Sequence, residues 1–312
     1  MSLHAQSEHS ASAPALGVDI GGSSIKLALL LPNTDQPFLV QSDRYSFPDA
    51  APFERALHIV AHDPKIRSAI AAHPPATVGV CLPGVWNDTA GCLERSNNLP
   101  KLVGVPLRPL LERAMGLMLP AWTISTDVHA TAIDLWHQLA PSIPTNSDLR
   151  PRRLFCLALG TGVGACVLDE GALLRINGNS SGHFGQIDVT VADAQPAPTA
   201  ADGGSGTLEA YWAASHVQHC LTKRSDPGLP PMLLQSLARA LRIAHAIYRP
   251  DGIVLAGGTS LSLAPHLDAI VATMRHGLSS IARPHCAIHL ATHAHHAALG
   301  IARLASAQRP LP

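Results

Sequence analysis

Twice in this chain a short apolar run breaks at a glycine-rich turn and then resumes. In residues 16–30, Leu16-Gly17-Val18-Asp19-Ile20 leads into Gly21-Gly22-Ser23-Ser24 and leaves through Ile25-Lys26-Leu27-Ala28-Leu29-Leu30. In residues 154–168, Gly160-Thr161-Gly162 separates two apolar runs, and Asp169-Glu170-Gly171 makes a further turn. Each unit reads as a β-hairpin. Each tip can receive a polyphosphate, because glycine admits close backbone approach while amides and hydroxyls donate to phosphate oxygens. A single turn of this kind is equally an ordinary hairpin with a polar tip. Two of them, with a third glycine pair at Gly257-Gly258 after the apolar run Ile253-Val254-Leu255-Ala256, point to a duplicated α/β architecture with a nucleotide held between the halves. Asp19, where the first strand runs out, suits a hydrated metal ion.

A chain of 312 residues that is 46% hydrophobic can build two cores. Its 22 basic and 22 acidic residues balance, so neither nucleic acid nor a membrane is called for as a partner. No run reaches the about 18 apolar residues of a membrane span. The cysteines Cys81, Cys92, Cys156, Cys166, Cys220 and Cys286 form no Cys-x-x-Cys pair and are expected to be reduced in a cytoplasmic protein. Residues 1–15, rich in Ser, Ala and His, are expected to form a disordered leader. The histidines are scattered, and even His293, His295 and His296 are not expected to hold a structural metal.

Between the turns the pattern predicts a third strand over 38–45, a helix from 51 interrupted at Pro64 and resumed to 70, and a buried strand over 77–82 ending at Pro83-Gly84. Ser96-Asn97-Asn98-Leu99-Pro100 is a polar loop before a helix through Leu110-Leu111-Glu112. An apolar strand then delivers Asp127 at its end, and a helix starts directly after it. A polar, proline-containing link over 141–153 reads as an exposed loop. Helices are expected over 208–219, over 231–248 before Pro250, and over 297–307.

These motifs, in this order, resemble the ROK family of sugar kinases in the actin-like ATPase superfamily, from about residue 16 to about residue 305. The resemblance implies two α/β, actin-like (ribonuclease H-like) domains with a cleft between them. The first would comprise residues 16–122 plus 297–312, the second residues 123–296. ATP would lie at the base of the cleft with Mg²⁺ as cofactor, a small sugar would sit beside the γ-phosphate, and a homodimer would be a common assembly. Asp127 matches the catalytic base of the family's Asn-Asp-x-Asn-Ala pattern, with Thr126 and His129 replacing the two asparagines; on local grounds Asp127 is also a sound helix N-cap. Asp19 would position Mg²⁺ through water, Gly21, Gly22, Ser23, Thr161 and Gly162 would cradle phosphates, and Gly257 and Gly258 would face the adenosine. Lys26 reads either as a phosphate neighbour or as a solvated strand residue. Gly84, Asn98, Thr126, Asp127 and Glu209 match sugar-contacting positions, although Gly84 also suits a plain strand-ending turn and Glu209 a helix first turn.

The departures from the pattern concern the sugar and a structural zinc. In the family's Gly-Glu-x-Gly-His segment, His183 stands for the glutamate and Gln186 for the histidine. The pocket thereby exchanges an acceptor-only carboxylate for an imidazole that donates, accepts or charges. Ala200, Asp202 and Thr207 occupy the three cysteine positions of the zinc loop, so no zinc site is expected and the loop is expected to be looser. The resulting expectation is an ATP-dependent hexose or hexosamine kinase. The alternative is a catalytically weak regulatory relative that binds nucleotide or sugar. A DNA-binding repressor is disfavoured, because the residues ahead of the first strand are too few for a helix-turn-helix.

Overall fold

The computed structural model describes residues 13–32, 34, 36–46, 49–120, 122–139, 152–176, 181–192, 196–222, 228–279 and 286–307. Residues 1–12 of the expected leader and 141–151 of the expected exposed loop lie outside the described residues. The first half runs β1 (Ala15–Ile20), β2 (Ile25–Leu30), β3 (Phe38–Gln41), α1 (Ala50–Ala61), α2 (Pro64–Ala72), β4 (Thr77–Cys81), β5 (Val85–Asn87), β6 (Cys92–Arg95), α3 (Leu107–Met115) and β7 (Trp122–Ser125). There follow α4 (Asp127–Leu139), β8 (Arg153–Leu159), β9 (Val163–Asp169), β10 (Ala172–Leu173), α5 (Leu208–Trp212), α6 (Ala214–Thr222), α7 (Pro231–Tyr248), β11 (Gly252–Ala256), α8 (Leu267–His276), β12 (Ala287–Leu290) and α9 (His296–Ala307).

The duplication inferred from the paired turns is visible in the sheets. One has the order β3-β2-β1-β4-β7 and the other β10-β9-β8-β11-β12, so each places its strands third, second, first, fourth, fifth by appearance. In each, the first three strands form an antiparallel meander and the last two join in parallel. β1, β4 and β11 are buried throughout, which explains why they read as continuous apolar runs without alternation. Each sheet has its own core: Leu16, Val18, Phe53, Leu57 and Leu111 in the first, and Phe155, Tyr211, Trp212, Leu237 and Leu241 in the second. The two large aromatics of the second core keep their polar ends satisfied, Trp212 Nε1 donating to Ser236 Oγ at 3.1 Å and Tyr211 Oη accepting from the Val191 amide at 3.2 Å.

Helices α4 and α9 join the halves. α9 lies on β1, β2 and β4 of the first sheet, α4 lies on β8 and β9 of the second, and the two helices pack on each other. Their approach is closer than a side chain allows. A Cβ on Gly300 would overlap the Ala130 carbonyl of α4, and one on Gly17 or Gly79 would overlap the Ala298 or Ile301 carbonyl of α9.

Fully buried Asp134 of α4 secures the same crossing. Its Oδ2 accepts from His296 Nδ1 at 2.7 Å and from Gln138 Nε2 at 2.9 Å, and its Oδ1 accepts from Arg303 Nε at 2.9 Å. Burial alone would raise the Asp134 pKa, but these bonds and charges outweigh it and hold the carboxyl below its ordinary value. Asp134, His293 and His296 bring potential ligand atoms within 4.8 Å of one another. The arrangement is nonetheless poor for a cation. His296 also accepts the Thr292 amide at Nε2, Arg303 already neutralises the carboxylate, and the His293 and His296 rings stack with planes 17° apart, so their in-plane lone pairs do not converge.

Two elements differ from the sequence expectation. The strand expected over 38–45 ends at Gln41, because Ser42 and Tyr45 leave the ladder to bond the first glycine turn. The helix expected over 208–219 is broken at Ala213, whose extended ψ of 138° frees the Ala214 amide to donate to the Gly160 carbonyl at 2.8 Å. Among the described residues no helix is long and apolar enough to cross a membrane.

The glycine requirement at the crossing is directly testable. Gly300→Ala is expected to destabilise the protein by roughly 1–3 kcal/mol or more, as forced overpacking does. Gly258→Ala, where an added Cβ meets nothing within 4 Å, is expected to stay within about 0.5 kcal/mol of the parent in thermal or denaturant unfolding.

Candidate active site

The first turn is braced from outside the hairpin. The Gly21 amide is used internally, donating to the Ser24 carbonyl at 3.0 Å. Tyr45 Oη donates to the Gly21 carbonyl at 2.6 Å, the Tyr45 amide donates to the Ser23 carbonyl at 3.0 Å, and the Ile25 amide donates to Ser42 Oγ at 2.9 Å. Carbonyls of the tip are therefore held back, and the Gly22 and Ser23 amides and the Ser23 hydroxyl are among the donors it can offer an anion. Asn98 backs onto the same turn, its carbonyl oxygen and Cβ lying 3.0 and 3.1 Å from the position of a Cβ on Gly22.

The second turn repeats the device, with the Gly160 amide donating to the Gly162 carbonyl at 3.0 Å. Gly257 presses on it so closely that a Cβ there would overlap the Leu159 carbonyl, and the Thr259 amide donates to that carbonyl at 3.0 Å. Its φ of +87° also requires glycine. Glu209 lies against both Gly162 and Gly185, and burial raises its pKa even though the Val163 amide donates to it.

The charged centre follows from strand register. One row across the first sheet reads Lys26, Asp19, Cys81, Ser125. Asp19, buried at the end of β1, accepts from Lys26 Nζ at Oδ2, 2.9 Å away, and faces the Cys81 thiol at Oδ1. Lys26 is thus no solvated strand residue: burial would lower its pKa, but Asp19 outweighs this and raises it. Asp127, the first residue of α4, is close enough for Asp19 and Lys26 to act on it. Burial first and the Asp19 charge second push its carboxyl up to about 6, against the lowering effect of the Val128 amide and Lys26. Two carboxylates supply hard oxygen ligands of the kind Mg²⁺ takes, so this donor set fits a magnesium-nucleotide.

A family profile described as ROK family matches residues 15–227. The chain belongs to the ROK family. Among solved structures it is similar to a ROK hexokinase from Thermus thermophilus, with TM-score 0.67 and 20% identity over 95% of this chain and 98% of that one. It is similar to a ROK family glucokinase from Streptomyces griseus in complex with glucose and AMPPNP, at 0.61 and 18% over 94% and 99%. It is also similar to a ROK family transcriptional regulator, a homologue of the E. coli MLC protein, at 0.68 and 15% over 95% and 78%. A curated relative, an uncharacterised protein of Clostridium perfringens, is 27% identical over 55% of this chain; the match spans 54% of that relative's length. At these structural identities the likeness establishes the actin-like α/β fold shared by sugar kinases and a regulator.

Against the family pattern, the remaining residues divide by element. On the first sheet's side, Ser96 ties two loops together: its Oγ donates to the Pro83 carbonyl at 2.7 Å and accepts from the Leu99 amide at 3.0 Å, fixing Gly84 and Asn98 relative to each other. At the start of α4, Thr126 Oγ1 accepts from the His129 amide at 3.3 Å and so serves as the cap. His129 turns to Ser125 Oγ, 2.8 Å away, and burial together with Arg175 lowers its pKa to about 4, leaving a neutral ring at physiological pH. His183 is exposed just before a short 3₁₀ turn (Phe184–Gln186).

The zinc positions have been rebuilt with hydrogen bonds. Gln186 Nε2 donates to Asp202 Oδ2 at 2.9 Å, Asp202 Oδ1 accepts from the Gly204 amide at 3.0 Å, and Thr207 Oγ1 caps α5 by accepting from the Ala210 amide at 3.1 Å. Thr199 bridges Ser205 across the loop. No thiolate is among these donors, and the set does not fit zinc. A direct side-chain bond joins the two segments a metal would have joined. A strong zinc chelator is expected to leave the unfolding temperature unchanged. Gln186→Ala is expected to lower stability by about 0.5–1.5 kcal/mol, the net worth of one hydrogen bond, in the same melt.

Proposed function

We propose that this ROK protein is an ATP-dependent sugar kinase that transfers the γ-phosphoryl group to a hydroxyl of a hexose or hexosamine. The observation that carries the reading is the meeting of Asp127, set between the end of β7 and the start of α4, with Asp19 and Lys26 of the same sheet, beside a braced glycine turn. Residues 16–122 with 297–312 and residues 123–296 would act as the two jaws of the cleft. The six cysteines are free, which suits a reducing cytoplasm.

Asp127 takes the proton of the acceptor hydroxyl as its oxygen bonds to the γ-phosphorus and the bond to the bridging oxygen of ADP breaks. Asp19 would hold Mg²⁺ through water. The ion, when bound, neutralises charge on the phosphate oxygens. Gly22, Ser23, Thr161 and Gly162 donate to phosphate oxygens, Lys26 adds positive charge, and Gly257 with Gly258 faces the adenosine. Asn98, Gly84, Thr126, His183, Gln186 and Glu209 line the acceptor side. Domain closure and positioning contribute as much as any one group, because this chemistry needs little covalent help from the protein.

The test is ADP release from Mg-ATP with hexoses, hexosamines and their N-acetyl derivatives. Asp127→Ala is expected to lower kcat by roughly 10²–10⁴-fold while leaving nucleotide affinity nearly unchanged. The base must be ionised, and its pKa is raised to about 6, so kcat/KM should be flat above pH 7 and fall tenfold per pH unit below about 6. Because folding penalises the ionised form of a carboxyl whose pKa is raised, Asp127→Asn is expected to unfold at a higher temperature than the parent at pH 7.5. The regulatory reading is favoured by His183 and Gln186 on the sugar side and by the fold likeness to a transcriptional regulator. Nucleotide binding without ADP release for any sugar would decide for it.

A further inference from the structure

Cys81 stands in the row of charged and polar residues at the end of the first sheet, and the mechanism above gives it no role. It is paired in register with Asp19 on one side and Ser125 on the other. Its side chain is fully buried. Its Sγ lies 3.7 Å from Asp19 Oδ1 and 3.7 Å from the carbonyl of Ala297, in the first turn of α9. The opposite oxygen of Asp19 is held by Lys26 at 2.9 Å, and the thiol faces the carboxylate's second oxygen.

A thiol has one hydrogen and two acceptors here, and it is a weak donor. As an S–H group it donates without adding a charge of its own. A neutral donor suits this place: it orients Asp19 without cancelling the negative charge that a cation needs, as a second lysine would. Because the alternative acceptor belongs to α9, the same sulfur ties the carboxylate to the helix that crosses α4.

We propose that Cys81 is a positioning residue for Asp19, setting the orientation in which that carboxylate receives the hydrated magnesium of the nucleotide. This rests on the kinase reading of Asp19. The experiment is a fluorescent ATP analogue titrated into the full-length protein at a series of Mg²⁺ concentrations, without sugar. Cys81→Val keeps the side chain's bulk and removes the donor, and Cys81→Ala removes both. Each is expected to raise the Mg²⁺ concentration giving half-maximal binding by about fivefold, the factor one net hydrogen bond is worth, with binding in EDTA unchanged. Cys81→Ser, which restores a donor, is expected to return it to within about twofold of the parent. Cys156→Ala, at an equally buried cysteine of the other sheet, is the packing control and is expected to show no shift.

The proposal is overturned if the parent shows magnesium-dependent binding and the Cys81 variants match it. It is equally overturned if serine fails to restore what valine loses, or if Cys156→Ala shifts as far as Cys81→Ala. Should the parent bind nucleotide with no dependence on Mg²⁺, the kinase reading of Asp19 falls first and this role falls with it.

Discussion

The packing of α9 against α4 is the contact on which everything else depends. It brings main chain to main chain at Gly300, as Gly17 and Gly79 do where the first sheet meets the other side of α9, and it buries the Asp134 carboxylate with His296, Arg303 and Gln138 around it. Such a network is weak evidence for stability but strict about geometry, since each bond must be made or a charge is left buried without compensation. Both helices begin at the site: α4 with Asp127, and α9 with the turn whose Ala297 carbonyl touches Cys81. Their crossing thus sets where the two halves present their chemistry.

Much of the architecture could be read from residues because the main strands are buried runs and their ends carry distinctive turns. Gly21-Gly22, Gly160-Thr161-Gly162 and Gly257-Gly258 each mark a strand end that the structure has. What could not be read is what lies opposite those ends. Tyr45, Ser42 and Ser96 act on turns far away in sequence, and a Tyr or Ser in a loop carries no sign of its partner. The break at Ala213 was hidden for the same reason: an alanine favours helix, and only the carbonyl of Gly160 across the fold gives the Ala214 amide something better to do. Lys26 was ambiguous until register placed it directly across from Asp19.

The site's electrostatics turn on two acidic residues near strand ends of the first sheet, Asp19 in β1 and Asp127 just after β7, where α4 begins. Asp19 is compensated by Lys26, whereas Asp127 is left raised by burial and by its acidic neighbour. A carboxyl raised to about 6 is one that exchanges a proton near neutrality. Of the two histidines nearby in the sequence pattern, His183 is exposed and His129 is held neutral by burial and Arg175.

The contact of Gly257 with Leu159 has a mechanical consequence. The turn after β11 and the turn after β8 share one carbonyl and touch without a side chain between them, so neither shifts without the other. In the proposed kinase reading, the turns that would meet the phosphates and the adenosine are thus one piece with no joint inside it. Adjustment to the length of that ligand would then fall to the side that carries Asp19 and its braced tip.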